Sequence, residues 1–237
     1  MTLKQITASK PFVANGDTAV IIPAYNPGKE LLDICTALVQ DNYTVVVVND
    51  GSDNADIFNL LPALAVTVVH HPLNMGQGAA LETGIAKALE EDKHYFVTFD
   101  ADGQHPVAAV ADLINTLVID DVDIVFGSRF LASEGRAAVP TFKRFTLTLA
   151  TFFDGLLTGI WLTDSHNGLR AFNRKAAKAI HFTENRMAHA TEILSLTKRN
   201  RWRYKECNVV VSYGKRSQHP IKSIEIAIDL ILRKIIS

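Results

Sequence analysis

Two carboxylates that lie one residue apart are the most chemically suggestive feature of the sequence. Asp100 and Asp102 flank Ala101 and come directly after an apolar run, residues 95–99. Hard oxygen ligands of this kind suit Mg²⁺ or Mn²⁺, and these ions commonly bridge to substrate phosphates. Aspartate and glycine also build ordinary turns, so the pair taken alone does not distinguish a metal site from a plain turn.

Apolar runs that alternate with helical patterns are expected to position these carboxylates at the edge of a sheet. Alternation of this kind predicts a mostly parallel sheet, whose ligands bind beyond the carboxyl ends of its strands. Asp50 and Asp100 both follow such ends, so we expect them at the same edge. The predicted strands are 19–22, 44–48, 66–69, 95–99 and 123–126, and the predicted helices are 29–40 and 78–91.

The second half of the chain shows a different pattern, because the alternation weakens after Gly127. The span 164–172 is interpreted as too polar for a core strand. We divide the chain into one domain, residues 1–217, and a C-terminal amphipathic helix within 218–237. Predicted elements after Gly127 are helices over 142–157, 174–179, 187–198 and 221–236, and a late strand over 205–211.

The composition restricts the partners that we expect. The chain has 24 Lys and Arg against 25 Asp and Glu, so bulk electrostatics do not indicate a nucleic-acid partner. Cys35 and Cys207 have no metal-finger spacing, and we expect two reduced thiols in a cytoplasmic protein. The first 17 residues lack a secretory pattern, and Asp154 and Gly155 interrupt the longest apolar region, so we expect neither export nor a membrane span.

Four segments in one order carry a resemblance to a known family. They are residues 21–26 (IIPAYN), 48–52 (VNDGS), 74–80 (NMGQGAA) and 100–106 (DADGQHP). Together they resemble the family 2 glycosyltransferases, in the branch of dolichol-phosphate mannose synthases and bacterial polyprenyl-phosphate glycosyltransferases. The resemblance covers about residues 18–215. It implies an α/β protein of the GT-A fold, with a mostly parallel Rossmann-like sheet flanked by helices and a helical region on the acceptor side.

The resemblance also implies a binding site for a nucleotide sugar. Asp50 would hydrogen-bond the base or the ribose, and Gly76 would bring backbone close to a phosphate at a helix start, where tight packing is the alternative reason for a glycine. Asp100 and Asp102 would bind the metal, Mg²⁺ or Mn²⁺, with Gln104 completing its ligands. The remaining residues expected to contact the nucleotide are Pro23, Ala24, Tyr25 and Ala101.

Three positions depart from the family's pattern. Pro27 stands where Glu is frequent, Asn49 replaces the first of a frequent Asp pair, and Gln77 replaces a frequent basic residue. These departures permit a non-catalytic regulator that binds nucleotide sugars, although the carboxylate pair and the segment around Arg170 argue against it. His105 is expected to be a solvent-facing loop histidine.

On the acceptor side, the resemblance implies three catalytic residues, Asp164, Arg129 and Arg170. The two arginines would position phosphate. Asp164 could act as a base for an acceptor hydroxyl, or it could orient and stabilise where the acceptor is an anionic phosphate. Further residues considered are Arg144 and Lys215 near the diphosphate, with Arg136 as a rival to Arg144. His189 and Glu192, three residues apart on a predicted helix, either face the same cleft or form a capping or surface pair, and we favour the second.

The implied reaction is inverting transfer of a hexose from a UDP- or GDP-sugar to an acceptor, in cell-envelope glycan biosynthesis. A polyprenyl phosphate is the favoured acceptor, and a glycan hydroxyl is the alternative. A sugar nucleotidyltransferase is a rival reading, but residues 23–28 lack its glycine- and lysine-rich loop. Apolar residues in 145–161 and 221–236 could contact the inner face of the membrane, a small membrane protein or a second copy of the chain, and packing on the core is an open alternative.

Overall fold

The computed structural model describes residues 15–182 and 189–212, which form a seven-stranded sheet with helices on both faces. The order across the sheet is β3-β2-β1-β4-β6-β5-β7. The strands are β1 (Thr18–Ala24), β2 (Thr44–Asn49), β3 (Thr67–His70), β4 (Tyr95–Thr98), β5 (Ile124–Ser128), β6 (Arg170–Asn173) and β7 (Tyr204–Asn208).

Most of the strand pairs are parallel, as predicted. Four of the six pairs among the described residues are parallel, and β6 runs antiparallel to both β4 and β5. The prediction that residues 164–172 are too polar for a core strand is therefore wrong at its end. Arg170 begins β6, and Ala171 and Phe172 are buried in the middle of the sheet. Because β6 is antiparallel, it starts at the edge where β1, β2 and β4 end.

Helices cover both faces, which explains why the inner strands are apolar throughout. Val20 and Ile22 of β1 pack into the cluster below α1 and α4, while Ala19 and Ile21 pack into the cluster below α3. Gly84 lets α3 lie close to β1, since a Cβ there would be 2.3 Å from Cγ2 of Ile21. The helices are α1 (Glu30–Gln40), α2 (Asp56–Leu60), α3 (Gln77–Leu89), α4 (Ala109–Ile119), α5 (Ser133–Ala138), α6 (Thr141–Thr158), α7 (Arg174–Ala179) and α8 (His189–Arg199).

The predicted elements are confirmed to within a few residues wherever the structure describes them. The late strand is shorter than predicted, because β7 ends at Asn208, and α2, α4 and α5 were not predicted. Cys35 and Cys207 are free thiols, as expected. Three predicted features lie outside the described residues: the helix over 221–236, the domain boundary at residue 217, and the first two residues of the helix over 187–198.

Helix α6 has two unlike faces. Thr151, Asp154 and Gly155 are buried, and Gly155 lies against the ring of Trp161, where a Cβ would be 2.6 Å from Cε3. The opposite face exposes large apolar side chains, with Phe145 exposed to 66%. Among the described helices, none has the length and apolar content that a membrane crossing needs.

Candidate active site

A cavity of about 1170 Å³ opens at the edge of the sheet where β1, β2 and β4 end and β6 begins. One side, here called the donor half, is formed by residues 23–28, Asp50, residues 74–77 and residues 100–104. The other side, here called the acceptor half, is formed by residues 166–170 and the start of α8. The parallel strands therefore place their polar termini at one edge, as the sequence predicts.

Most of the predicted nucleotide- and metal-binding residues line this cavity. They are Pro23, Ala24, Tyr25, Asp50, Gly76, Asp100, Ala101, Asp102 and Gln104, and of the three predicted catalytic residues Arg170 lines it as well. Arg129, Arg144 and Asp164 do not line it, and Lys215 lies outside the described residues. Arg136, the alternative to Arg144, is exposed on α5.

Asp50 is held in place by three N–H groups. Its Oδ1 accepts hydrogen bonds from the backbone of Met75 at 2.9 Å and from Nδ1 of His71 at 2.8 Å, and its Oδ2 accepts one from the backbone of Gly76 at 2.9 Å. Gly51, with φ +69°, allows the close approach of this loop, because a Cβ there would lie 2.3 Å from the carbonyl carbon of Leu73. The carboxylate thus fixes the loop that precedes α3 against the end of β2.

Asn49, which replaces an aspartate of the family's pattern, has a structural task here. Its Oδ1 accepts a hydrogen bond from the backbone of Ser52 at 2.9 Å, and its Nδ2 lies 3.1 Å from Nδ1 of His70. Asn26 ties the loop after β1 to the same turn, through paired hydrogen bonds with Asp53 at 2.7 and 2.9 Å. The two loops of the donor half therefore form one connected unit.

Asp100 and Asp102 are differently supported. Asp102 accepts hydrogen bonds from the backbone of Gln104 at 3.0 Å and from its Nε2 at 2.6 Å, so Gln104 holds Asp102. Asp100 packs against the backbone of Gly168, where a Cβ would lie 2.2 Å from Oδ2, so only glycine fits there. Burial and the charge of Asp102 raise the pKa of Asp100 to about 6, against the opposing effect of Arg170 and Arg129.

This pair fits a divalent cation. Mg²⁺ typically takes one or two carboxylates from a protein and completes its shell with water and phosphate oxygens. The described residues contain no group of three or more His, Cys, Asp or Glu that could enclose a metal ion. Burial and, second to it, the charge of Asp102 raise the pKa of Asp100, and a bound cation would oppose both effects.

Arg129 and Asp164 form a buried ion pair instead of facing the cavity. Nε of Arg129 donates to Oδ2 of Asp164 at 2.6 Å, and Nη2 donates to Oδ1 at 2.7 Å, with the Asp164 side chain fully buried. Because both carboxylate oxygens accept from the guanidinium, the geometry favours an orienting role for Asp164 over that of a base. The pair fixes the segment after β5 to the segment before β6.

Arg170 is the cation that reaches the cavity. It is buried, its Nη2 donates to the backbone oxygen of Ser165 at 3.3 Å, and its Nε has no hydrogen-bond partner among the described residues. Burial lowers its pKa to about 10, although Asp100, Asp164 and Asp154 act in the opposite direction. Arg170 therefore remains charged at neutral pH, with one buried donor that an anion could satisfy.

Asp154 is a residue that the sequence interpretation missed. Its Oδ1 accepts from Oγ1 of Thr191 at 2.6 Å and its Oδ2 from Oγ of Ser165 at 2.7 Å, while Nε2 of His166 lies 3.1 Å from Oδ2. Burial alone would raise the pKa of Asp154, but contacts with His166, Thr191 and Ser165 lower it below its ordinary value. The sequence could have indicated Asp154, because an aspartate within an apolar helix is buried with it and a buried carboxylate needs hydrogen-bond or charged partners.

Three residues near the site differ from the sequence interpretation. His105 does not face solvent: it is buried, with Nε2 3.9 Å from Oδ2 of Asp100, and burial followed by the charge of Arg129 lowers its pKa to about 4. His189 is not a surface residue, because it is buried and lines the cavity. Lys143, one position before Arg144, interacts electrostatically with Arg129, Asp102 and Asp164, and burial lowers its pKa.

An open, mostly parallel α/β sheet belongs to the class of folds that bind ligands, nucleotides among them, beyond the carboxyl ends of their strands, where this cavity lies. Within that class, the chain belongs to the family described as Glycosyl transferase family 2, whose profile matches residues 19–180. The structure of residues 1–349 of Staphylococcus aureus TarS is similar to this chain, with a TM-score of 0.55 and 14% sequence identity. The match covers 89% of this chain and 64% of the TarS chain. The predicted GT-A type of α/β fold is confirmed.

Two relatives match along most of their length. A protein of Methanocaldococcus jannaschii without an assigned activity is 32% identical over 223 residues, which are 91% of each chain. The UDP-N-acetylglucosamine–dolichyl-phosphate N-acetylglucosaminyltransferase of Methanococcus voltae is 30% identical over 84% of this chain and 86% of its own. The chain is thus a glycosyltransferase of the polyprenyl-phosphate branch of family 2, as the four sequence segments indicated.

Proposed function

We propose that this enzyme transfers a hexose from a UDP- or GDP-sugar to a polyprenyl phosphate, with inversion at the sugar carbon. One observation carries the proposal: the carboxylate pair Asp100 and Asp102 and the buried cation Arg170 line one cavity, at the edge where parallel strands end. The first group suits a metal-bound diphosphate, and the second suits a separate anion. The diphosphate of a sugar donor would bind at the carboxylate pair, and the phosphate of the acceptor would bind at Arg170.

The donor half would bind the nucleotide and hold its diphosphate. Asp50 would accept a hydrogen bond from the base or ribose, while Pro23, Ala24 and Tyr25 would line the nucleotide pocket. Asp100 and Asp102 would hold Mg²⁺ or Mn²⁺, which supplies positive charge to the departing diphosphate. The backbone of Gly76, at the start of α3, would approach the phosphates.

The acceptor half would orient the nucleophile. An oxygen of the acceptor phosphate forms the new bond to the sugar carbon, the bond from that carbon to the diphosphate oxygen breaks, and no proton has to move. A base is unnecessary, which agrees with Asp164 being bound to Arg129. Arg170 would steady the acceptor phosphate, so that catalysis rests on positioning and electrostatics.

A lipid acceptor requires the enzyme to work at a bilayer surface, and we place it at the inner face of the cell membrane in cell-envelope glycan synthesis. The exposed face of α6 supports this location, because it presents several large apolar side chains: Phe142, Phe145, Leu149, Phe152, Phe153 and Leu156. Trp161, just beyond the end of the helix, is exposed as well. Flotation with anionic liposomes tests it. Complete absence of the protein from the lipid fraction would exclude direct binding and leave a membrane-protein partner to be sought.

The decisive assay mixes the protein with a panel of nucleotide sugars, Mg²⁺ or Mn²⁺ and a polyprenyl phosphate. We expect one nucleoside diphosphate released for each glycolipid formed, and about 10³-fold less of both products with the Asp102→Asn variant. Release of pyrophosphate would instead indicate nucleotidyl transfer. Binding without turnover would indicate a regulator, and product on a glycan hydroxyl would replace the proposed acceptor.

A further inference from the structure

A buried histidine connects the carboxylate of Asp50 to helix α3. Nδ1 of His71 lies 2.8 Å from Oδ1 of Asp50, and Nε2 lies 2.9 Å from Oγ1 of Thr83. The side chains of His71 and Asp50 are exposed to only 7% and 5%. Both ring nitrogens are therefore occupied, so the ring can neither rotate nor flip without losing a hydrogen bond.

These contacts assign the proton on the ring. A carboxylate only accepts hydrogen bonds, so Nδ1 of His71 carries a proton and donates it to Asp50. Nε2 faces a hydroxyl, which can donate or accept. Thr83 holds the ring of His71, and the ring in turn fixes the orientation of the Asp50 carboxylate. Residues that hydrogen-bond to the ligands of a metal or to catalytic groups orient them in the same way.

The fixed carboxylate keeps one acceptor direction for a ligand. Oδ1 of Asp50 accepts from Met75 and His71, whereas Oδ2 accepts only from Gly76. A carboxylate has about four lone-pair directions, so one on Oδ2 is unused by the described residues. Asp50 lines the cavity. An acceptor in that position matches a ring N–H, which uracil has at N3 and guanine at N1, while adenine and cytosine place a lone pair on the corresponding ring nitrogen.

We propose that His71 is a positioning residue for recognition of the nucleobase, which it supports by locking Asp50 so that Oδ2 accepts the ring N–H of uracil or guanine. The proposal rests on the proposed function, since it takes the ligand to be a nucleoside diphosphate. His71 acts through Asp50 and touches no reacting atom.

Two conservative variants separate the bonds that His71 makes. The side-chain amide nitrogen of Asn is two bonds from Cβ, like Nδ1, so His71→Asn retains a donor for Asp50. The amide nitrogen of Gln is three bonds from Cβ, like Nε2, so His71→Gln retains contact with Thr83 and loses the donor to Asp50. His181, an exposed histidine outside the cavity, supplies the matched control His181→Gln.

Calorimetric titration of UDP and GDP in the presence of Mg²⁺ measures the effect. We expect His71→Gln to raise the Kd of the tighter nucleotide about tenfold, the value of one hydrogen bond to a charged acceptor. His71→Asn should stay within about threefold of the wild-type protein, as should His181→Gln. In turnover, His71→Gln should raise the donor KM and leave kcat within about twofold, because only binding of the base is weakened.

Equal losses in His71→Asn and His71→Gln, or no loss in either, would overturn the proposal. If His71→Gln does not fold, ¹⁵N NMR of the wild-type ring decides the same point, since a proton on Nε2 alone contradicts the assignment. The wild-type protein should also bind UDP or GDP more tightly than CDP and ADP. Failure of the proposed function gives a different result. If the wild-type protein binds no nucleoside diphosphate, both the proposed function and the role of His71 are wrong. If the enzyme transfers the sugar to another acceptor, the nucleotide titrations are unaffected and the role of His71 stands.

Discussion

The carboxylate pair of the donor half, Asp100 and Asp102, and the two carboxylates packed behind the acceptor half, Asp154 and Asp164, differ in how their negative charge is stabilised. In the donor half, Asp100 faces Asp102 across a turn, and burial with this like charge raises its pKa to about 6. Behind the acceptor half and away from the cavity, Asp154 and Asp164 are buried more deeply, but hydrogen bonds and ion pairs from the same chain stabilise their charges. The donor half therefore holds negative charge that a ligand must balance, and the acceptor half has balanced its carboxylates internally and leaves Arg170 for a ligand.

The largest loss of activity is expected at Asp102, which would bind the metal ion. Asp102→Asn should lower transfer about 10³-fold, because a metal ion contributes several kcal/mol to stabilising the leaving group. Chelation of divalent ions should have the same effect on the wild-type enzyme and be reversed by added Mn²⁺. Asp121→Asn, an exposed aspartate paired with Arg203, is the matched control. Full activity of Asp102→Asn, or indifference to chelation, would remove the metal from the account.

The next largest effect is a loss of stability when the buried ion pair of Asp164 and Arg129 is broken. Asp164→Ala should lower the free energy of unfolding by about 3–5 kcal/mol, because it removes the carboxylate that balances the buried guanidinium of Arg129. Urea denaturation measures this loss. The double variant Arg129→Met, Asp164→Leu should lose much less, since both charges are gone. A loss below about 1 kcal/mol in Asp164→Ala would show that the pair is not a supporting element.

A smaller loss is expected at Asp154. Asp154→Asn should lower the free energy of unfolding by about 1.5–3 kcal/mol at pH 7, the range for hydrogen bonds to a charged group. The folded-state pKa of Asp154 is lowered, so its contribution is present above the ordinary aspartate value and is lost as the pH falls through the lower, folded-state value. The difference in stability between the two proteins should therefore shrink as the pH falls below the ordinary aspartate value. A constant difference from pH 7 to pH 2.5 would contradict this origin.

Asp100 should show the opposite sign, with the smallest magnitude. Because its folded-state pKa is raised to about 6, its contribution is most favourable below the ordinary aspartate value and is lost as the pH rises through 6. In metal-free protein, Asp100→Asn should thus gain about 1–2 kcal/mol at pH 7 and nothing at pH 3.5, after allowance for its partial exposure. Thermal unfolding in a chelating buffer measures the gain. A destabilised Asp100→Asn protein would contradict the contrast between the two halves.

The sequence predicted the donor half better than the acceptor half, for a physical reason. Donor residues sit in short contiguous segments at strand ends, and a parallel sheet brings those ends together without further information. The acceptor half is joined by contacts between distant positions, such as Asp154 with Thr191 and Arg129 with Asp164. Hydrophobic periodicity does not report such contacts.

Two positions illustrate this limit. Strand β6 has only four residues and begins with Arg170, whose charge suggested a loop, although Ala171 and Phe172 are in the core. On α6, the sequence indicated Arg144, which does not line the cavity, whereas the neighbouring Lys143 interacts electrostatically with Asp102 and Asp164. A one-residue change in helical phase, about 100°, cannot be settled from composition.

One measurement tests the central claim most directly: transfer to a polyprenyl phosphate compared with transfer to the matching polyprenol, which has the same lipid and a hydroxyl in place of the phosphate. With one saturating nucleotide sugar and Mn²⁺, the account predicts glycolipid and nucleoside diphosphate in equal amounts from the phosphate and no product from the alcohol. Equal rates with the two lipids, or product from the alcohol alone, would contradict an acceptor half built to receive an anion.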